Sequence, residues 1–210
     1  MKVILFDLDG TLIDSTEAIL ESFDAAFNAM KKESPEPNYI LELIGHPLDE
    51  MFKSLGVPKS QVWEYVDAYK LNYRLVSKPK TTFLPTAKEA IVLAHKHAIL
   101  GVVTTKTSQY SKELLEHMGV MNYFEVLIGR EDVINPKPDP EPILKAMHAL
   151  GAHKEKSWMI GDTCMDMVAA KKAGIKSVAV SCGYSSKEQL KKCALYIEPT
   201  PLDAVEKILE

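Results

Sequence analysis

The chain has 210 residues, 46% of them hydrophobic and 26% charged, with a formal net charge of -4. A chain of this length and composition buries a substantial core, which excludes disordered and low-complexity classes. The slightly acidic balance argues against nucleic-acid binding, whose proteins carry a basic patch to neutralise phosphates, but permits a small anionic ligand at a locally positive site.

In chain order, residues 3–8 read as a buried strand. Its apolar run is cut by Asp7 and Asp9 before it reaches the length of a signal segment, and nowhere do ~18 consecutive apolar residues occur, so no membrane partner is expected. The strand ends in Asp7-Leu8-Asp9-Gly10-Thr11. Two carboxylates two residues apart in extended chain point the same way, and their repulsion calls for a divalent cation or a shared proton. Residues 15–82 then show no convincing strand. Helical spacing of Leu, Ile, Phe and Met runs through 16–31, 39–44, 48–55 and 60–76, punctuated by Pro35, Pro37, Pro47, Pro58 and Pro79. This stretch reads as a helical insert that leaves the core near Asp14-Ser15 and returns through residues 77–80. Trp63, Tyr65, Tyr69 and Tyr73 are expected to pack inside it.

Beyond the insert, strand patterns at 100–104, 123–128, 157–160 and 177–180 alternate with helical patterns at 85–97, 108–118, 140–150, 164–173 and 201–209. Such alternation predicts an α/β protein, a doubly wound Rossmann-like parallel sheet. The expected domains are a core of 1–14 with 83–210 and a helical cap of 15–82. Ligands of open parallel sheets bind at the carboxyl ends of strands, so the chemistry is sought there.

Three further strand ends carry candidates. Thr104 and Thr105 offer hydroxyls and backbone N–H groups ahead of a helix that starts near Ser108. Lys137 stands between Pro136 and Pro138, which stiffen its loop and suit a fixed phosphate contact. Asp162 and Asp166, four residues apart at a helix start, can converge on a metal held by Asp7 and Asp9, and an all-oxygen donor set selects Mg²⁺ over Zn²⁺. Taken singly, each has a plainer reading as a charged turn, a helix cap or a surface lysine. Those readings do not account for all four strand ends together. The cysteines Cys164, Cys182 and Cys193, odd in number and without a C-x-x-C spacing, are expected as buried or free thiols of a cytoplasmic protein.

The four strand ends together resemble the motifs of the haloacid dehalogenase superfamily of phosphotransferases, in order from Val3 to Asp166. The resemblance implies Asp7 as nucleophile and Asp9 as general acid and base. It implies Mg²⁺ held by Asp7, the Asp9 main-chain carbonyl and Asp162, with Asp166 in support. Thr104, Thr105 and Lys137 would hold the phosphoryl group. Dehalogenases of the superfamily lack the second aspartate, so Asp9 points to phosphate chemistry. The insert is similar to the helical cap of phosphoglycolate phosphatases, a lid that selects substrate, and residues 44–48 are similar to a cap segment shared with bacterial pyrophosphatases. His46 in that segment is a candidate substrate contact. Residues 40–52 hold no arginine of the kind usual in β-phosphoglucomutases of this architecture. The implied activity is Mg²⁺-dependent hydrolysis of a small phosphorylated metabolite, 2-phosphoglycolate first, with inorganic pyrophosphate and nucleoside monophosphates as alternatives, by a monomer or homodimer. A non-catalytic phosphate-binding protein is the alternative of another class.

Overall fold

A computed structural model describes all of residues 1–210. Contacts within the chain divide it into two compact units, one of Met1–Asp14 and Phe83–Glu210 and one of Ser15–Thr82.

The larger unit is built on six strands: β1 (Lys2–Phe6), β4 (Ala98–Val103), β5 (Val126–Ile128), β6 (Ser157–Gly161), β7 (Lys176–Val180) and β8 (Ile197–Glu198). They lie in the order β5-β4-β1-β6-β7-β8, and every pairing between neighbours is parallel. Both faces are covered, as parallel sheets require. Alternation along β1 shows how: Ile4 and Phe6 join a buried cluster with Ala90 and Ile91 of α5 (Ala87–His95) and Val205 and Ile208 of α10 (Pro201–Leu209). Val3 and Leu5 face the other way, into Ile143 and Met147 of α7 (Glu141–Ala149) and Ala169 and Ala173 of α8 (Cys164–Ala173). The doubly wound sheet of the sequence reading is therefore present.

The strand order also locates the ligand crevice. From β1 the chain moves outward through β4 and β5, then returns to the other side of β1 through β6, β7 and β8. The reversal opens a crevice at the carboxyl ends of β1, β4 and β6.

The smaller unit holds α1 (Thr16–Ala29), α2 (Pro37–Leu41), α3 (Leu48–Ser54) and α4 (Val62–Val76). Its core is aromatic: the Phe23 ring stands 4.8 Å from that of Phe52 and 5.1 Å from that of Tyr69, and Phe27 lies 5.0 Å from Tyr65. Tyr65, Tyr69 and Tyr73 repeat every four residues and share the buried face of α4, whereas Trp63 falls off that spacing and is 62% exposed. The expectation that Trp63 packs the insert is corrected.

Four small elements escaped the sequence reading. The two-residue strands β2 (Ile13–Asp14) and β3 (Thr82–Phe83) pair with each other, β8 extends the main sheet, and α9 (Lys187–Leu190) is a single helical turn. The strand expected over 123–128 begins only at Val126, because Met121–Tyr123 forms a 3₁₀ turn. No helix is long and apolar enough to cross a membrane. Cys164 and Cys193 form a disulfide, which corrects the reading of three free thiols; Cys182 alone is free. The partners are 29 residues apart, at the start of α8 and just past α9, a proximity set by the fold and invisible in the spacing.

Candidate active site

Asp7 follows β1 directly, and its backbone N–H donates to Ile160 O at 2.9 Å, which fixes the carboxylate above the centre of the sheet. The chain then reverses through Gly10 at φ +79, a left-handed conformation that glycine adopts without strain. A Cβ at Gly10 would lie 2.3 Å from Asp162 Oδ2, and one at Gly183 would lie 2.4 Å from the same atom. Two glycines thus let backbone close around Asp162. Its Oδ1 accepts from Thr11 Oγ1 at 3.1 Å and its Oδ2 from Tyr184 N–H at 2.9 Å.

Lys137 arrives from the loop between β5 and α7. Glu141, at the head of α7, clamps that loop by accepting from Ile134 N–H at 2.8 Å and Asn135 N–H at 2.9 Å. The buried ammonium donates to Val103 O at 3.0 Å and to Asp166 Oδ1 at 2.5 Å, and stands 2.9 Å from Asp7 Oδ1. This last contact is an ion pair, and apart from it the buried Asp7 Oδ1 has no hydrogen-bond partner. Asp166 spends its second oxygen on Thr163, accepting from the backbone N–H at 3.1 Å and from Oγ1 at 2.7 Å. That interaction is the N-terminal cap of α8, so one residue both starts the helix and orients Lys137.

Burial dominates the electrostatics. It pushes the Asp7 carboxyl up to about 7 against the pull of Lys137, and Asp166 adds repulsion. Burial, followed by repulsion from Asp7 and Asp166, raises Asp162 well above the usual carboxylate range. Burial works against the charge of Lys137, but the adjoining Asp166 and Asp7 outweigh it and hold this ammonium above its ordinary value. Three crowded, desolvated carboxylates with a single lysine between them form a site short of positive charge.

The residue set fits a hard divalent cation. Asp7, Asp162 and Asp166 are all buried, their ligand oxygens lie within 4.8 Å of one another, and one oxygen of Asp7 lacks a hydrogen-bond donor. The set offers oxygen only, the chemistry of Mg²⁺ sites.

Thr104 and Thr105 occupy the turn after β4. Thr104 is buried, with its N–H on Ile128 O at 2.9 Å and its Oγ1 accepting from Lys106 N–H at 3.2 Å. Asp9 lies nearer the surface, its Oδ2 2.7 Å from Lys106 Nζ. His46 belongs to the helical unit, where it is exposed in the turn before α3. Strand-end reasoning singled out Asp7, Asp9, Thr104, Lys137, Asp162 and Asp166, of which the structure gathers Asp7, Lys137, Asp162 and Asp166 into one cluster. It missed Lys106, although this lysine directly follows the two threonines, and it missed Tyr184, whose part is played by its backbone and leaves no trace in residue type.

Comparison with known proteins agrees with this geometry. Residues 4–180 match the family model described as Haloacid dehalogenase-like hydrolase. The pyrophosphatase PpaX of Halalkalibacterium halodurans is 35% identical over 186 residues, covering 88% of this chain and 85% of that protein. The phosphoglycolate phosphatase of Aquifex aeolicus is 33% identical over 188 residues, covering 88% and 86%. A haloacid dehalogenase-like hydrolase of Streptococcus pneumoniae superimposes with a TM-score of 0.88 at 26% identity, over 99% of this chain and 98% of that one. With its parallel sheet, its ring of aspartates and relatives of this kind, the chain belongs to the haloacid dehalogenase-like hydrolases and is a phosphatase of that family.

Proposed function

We propose that the protein is a Mg²⁺-dependent phosphatase that acts on a small phosphorylated metabolite through an aspartyl-phosphate on Asp7, with 2-phosphoglycolate the first candidate substrate. The observation that carries this reading is the oxygen of Asp7 that accepts no hydrogen bond, buried beside Lys137 within the Asp7–Asp162–Asp166 cluster. A carboxylate so placed retains a lone pair for attack on phosphorus, and neighbours on both sides fix its direction.

In this reading Asp7 attacks as the bond to the leaving oxygen breaks, and Asp9 protonates that oxygen. Asp9 then takes a proton from water as the water opens the aspartyl-phosphate, which returns Asp7 to its carboxylate form. Lys137 and the Thr104–Thr105 turn hold the phosphoryl oxygens. Asp7, the main-chain carbonyl of Asp9 and Asp162 would hold Mg²⁺, with Asp166 supporting from behind. The bound cation would offset the repulsion between an anionic nucleophile and an anionic phosphate.

Inorganic pyrophosphate is the second substrate candidate, favoured by the 35% identity to a protein named as a pyrophosphatase. A panel of 2-phosphoglycolate, pyrophosphate, nucleoside monophosphates and sugar phosphates, assayed with Mg²⁺ and with EDTA, tests the reading. Turnover of a phosphate compound that EDTA abolishes and Mg²⁺ restores is expected. Full turnover in excess chelator would overturn the metal's role. We also place the enzyme in the cytoplasm. There the Cys164–Cys193 pair should be reduced, so three thiols should titrate in protein trapped directly from cells, and a single thiol would refute this location.

A further inference from the structure

We infer that Lys106 reads a second negative charge on the substrate, so that this site takes phosphate compounds whose leaving fragment carries an anionic group beside the departing oxygen. The inference rests on the proposed roles of Asp7 and Asp9, and it narrows the substrate class that those roles leave open.

Two lysines pair with different aspartates. Lys137, its side chain 1% exposed, commits its ammonium to Val103 O, Asp166 and Asp7, and so serves the nucleophile. Lys106 stands on the Asp9 side, its Nζ 2.7 Å from Asp9 Oδ2, with side-chain exposures of 11% and 12% that bring the pair just below the surface. Its backbone is anchored at both ends. Its N–H donates to Thr104 Oγ1 at 3.2 Å and its carbonyl accepts from Arg130 N–H at 2.9 Å, so the ammonium projects from a fixed turn.

This placement sets a distance. A group that hands a proton to the leaving oxygen lies within about 3 Å of it. An ammonium 2.7 Å from Oδ2 of that carboxylate therefore lies within roughly 6 Å of the departing oxygen where Oδ2 carries the proton, and within roughly 8 Å where the other oxygen does. A carboxylate or phosphoryl group joined one or two atoms beyond that oxygen falls in the same space and can share the ammonium with Asp9. 2-Phosphoglycolate and pyrophosphate meet this condition. Nucleoside monophosphates and most sugar phosphates present a neutral carbon fragment there instead.

The test compares kcat/KM for 2-phosphoglycolate with that for its neutral counterpart, 2-hydroxyethyl phosphate, in the wild-type enzyme and in Lys106→Met and Lys106→Arg. The ratio is the readout, because any harm to Asp9 or to the fold affects both substrates and cancels. Lys106→Met should lower the ratio by ~10- to 10²-fold, the range for losing a charged hydrogen bond, and Lys106→Arg should restore most of it. A ratio unchanged in Lys106→Met overturns the inference, as does a wild-type enzyme that favours the neutral substrate. Asp7→Asn, measured in parallel, keeps the two levels of reading apart. If it retains turnover, the proposed nucleophile is wrong and the inference falls with it. If it is inactive while the Lys106→Met ratio stays at the wild-type value, only the inference fails.

Discussion

Asp7 and Asp9 are two residues apart, yet their surroundings suit them to different work. Asp7 is buried against Lys137, with an oxygen that accepts no hydrogen bond, while Asp9 is partly exposed and paired with Lys106. A proton donor and acceptor needs a path to water that a buried nucleophile lacks. Asp9→Asn keeps the size of the side chain and removes the proton chemistry, so phosphate binding should persist while turnover falls by ~10²- to 10⁴-fold. Steady-state kinetics alongside calorimetric phosphate binding would check both halves, and wild-type turnover in this variant would remove Asp9 from the mechanism. The burial that raises Asp7 to about 7 also has a sign in stability. Between its ordinary value of 3.8 and about 7, the metal-free folded protein holds a proton that the unfolded chain has released. Asp7 therefore stabilises least at neutral pH without metal. In EDTA, the melting temperature of the wild type relative to Asp7→Asn should fall as pH rises through that window, and a rising difference would contradict the assignment.

At the scale of elements, the positions that were legible in sequence are those where a buried strand meets a punctuating residue. β1, β4 and β6 are long enough to show an apolar run, and each is followed directly by a candidate residue, Asp7, Thr104 or Asp162. The crossover carrying Lys137 was legible from its prolines, whereas the clamp by Glu141 was not, since a glutamate opening a helix reads equally well as a dipole partner. Two-residue strands such as β2 and β8 have no periodicity to detect. The Cys164–Cys193 bond was missed for another reason: it joins the start of α8 to the segment after α9, and only the fold reveals it. Closing a loop of 29 residues restricts the unfolded chain by about 3.6 kcal/mol. Reduction should lower the melting temperature by ~10 °C in a protein of this size, and Cys164→Ser should melt at the reduced value with or without reductant. An equal melting temperature in oxidised and reduced protein would show that the bond constrains nothing.

For the whole molecule, the division into two units carries a thermodynamic consequence. Residues 15–82 have an aromatic core of their own around Phe23, Phe52 and Tyr69, and Asp7, Asp162 and Asp166, the aspartates proposed to hold Mg²⁺, all belong to the other unit. A ligand stabilises only the cooperative unit that it binds, in proportion to the logarithm of its concentration over Kd. Where two units open separately, Mg²⁺ should slow amide exchange in β1, β4 and β6 and leave α1 and α4 almost unchanged. Phe52 is fully buried at the centre of the aromatic cluster, so Phe52→Ala should cost the helical unit about 3–5 kcal/mol. Exchange in α1 and α4 should accelerate in that variant while the central strands keep their Mg²⁺-dependent protection. The opposite pattern is as easy to recognise. If Mg²⁺ protected α1 and α4 as strongly as the sheet, and Phe52→Ala loosened both units alike, the protein would open as one cooperative body.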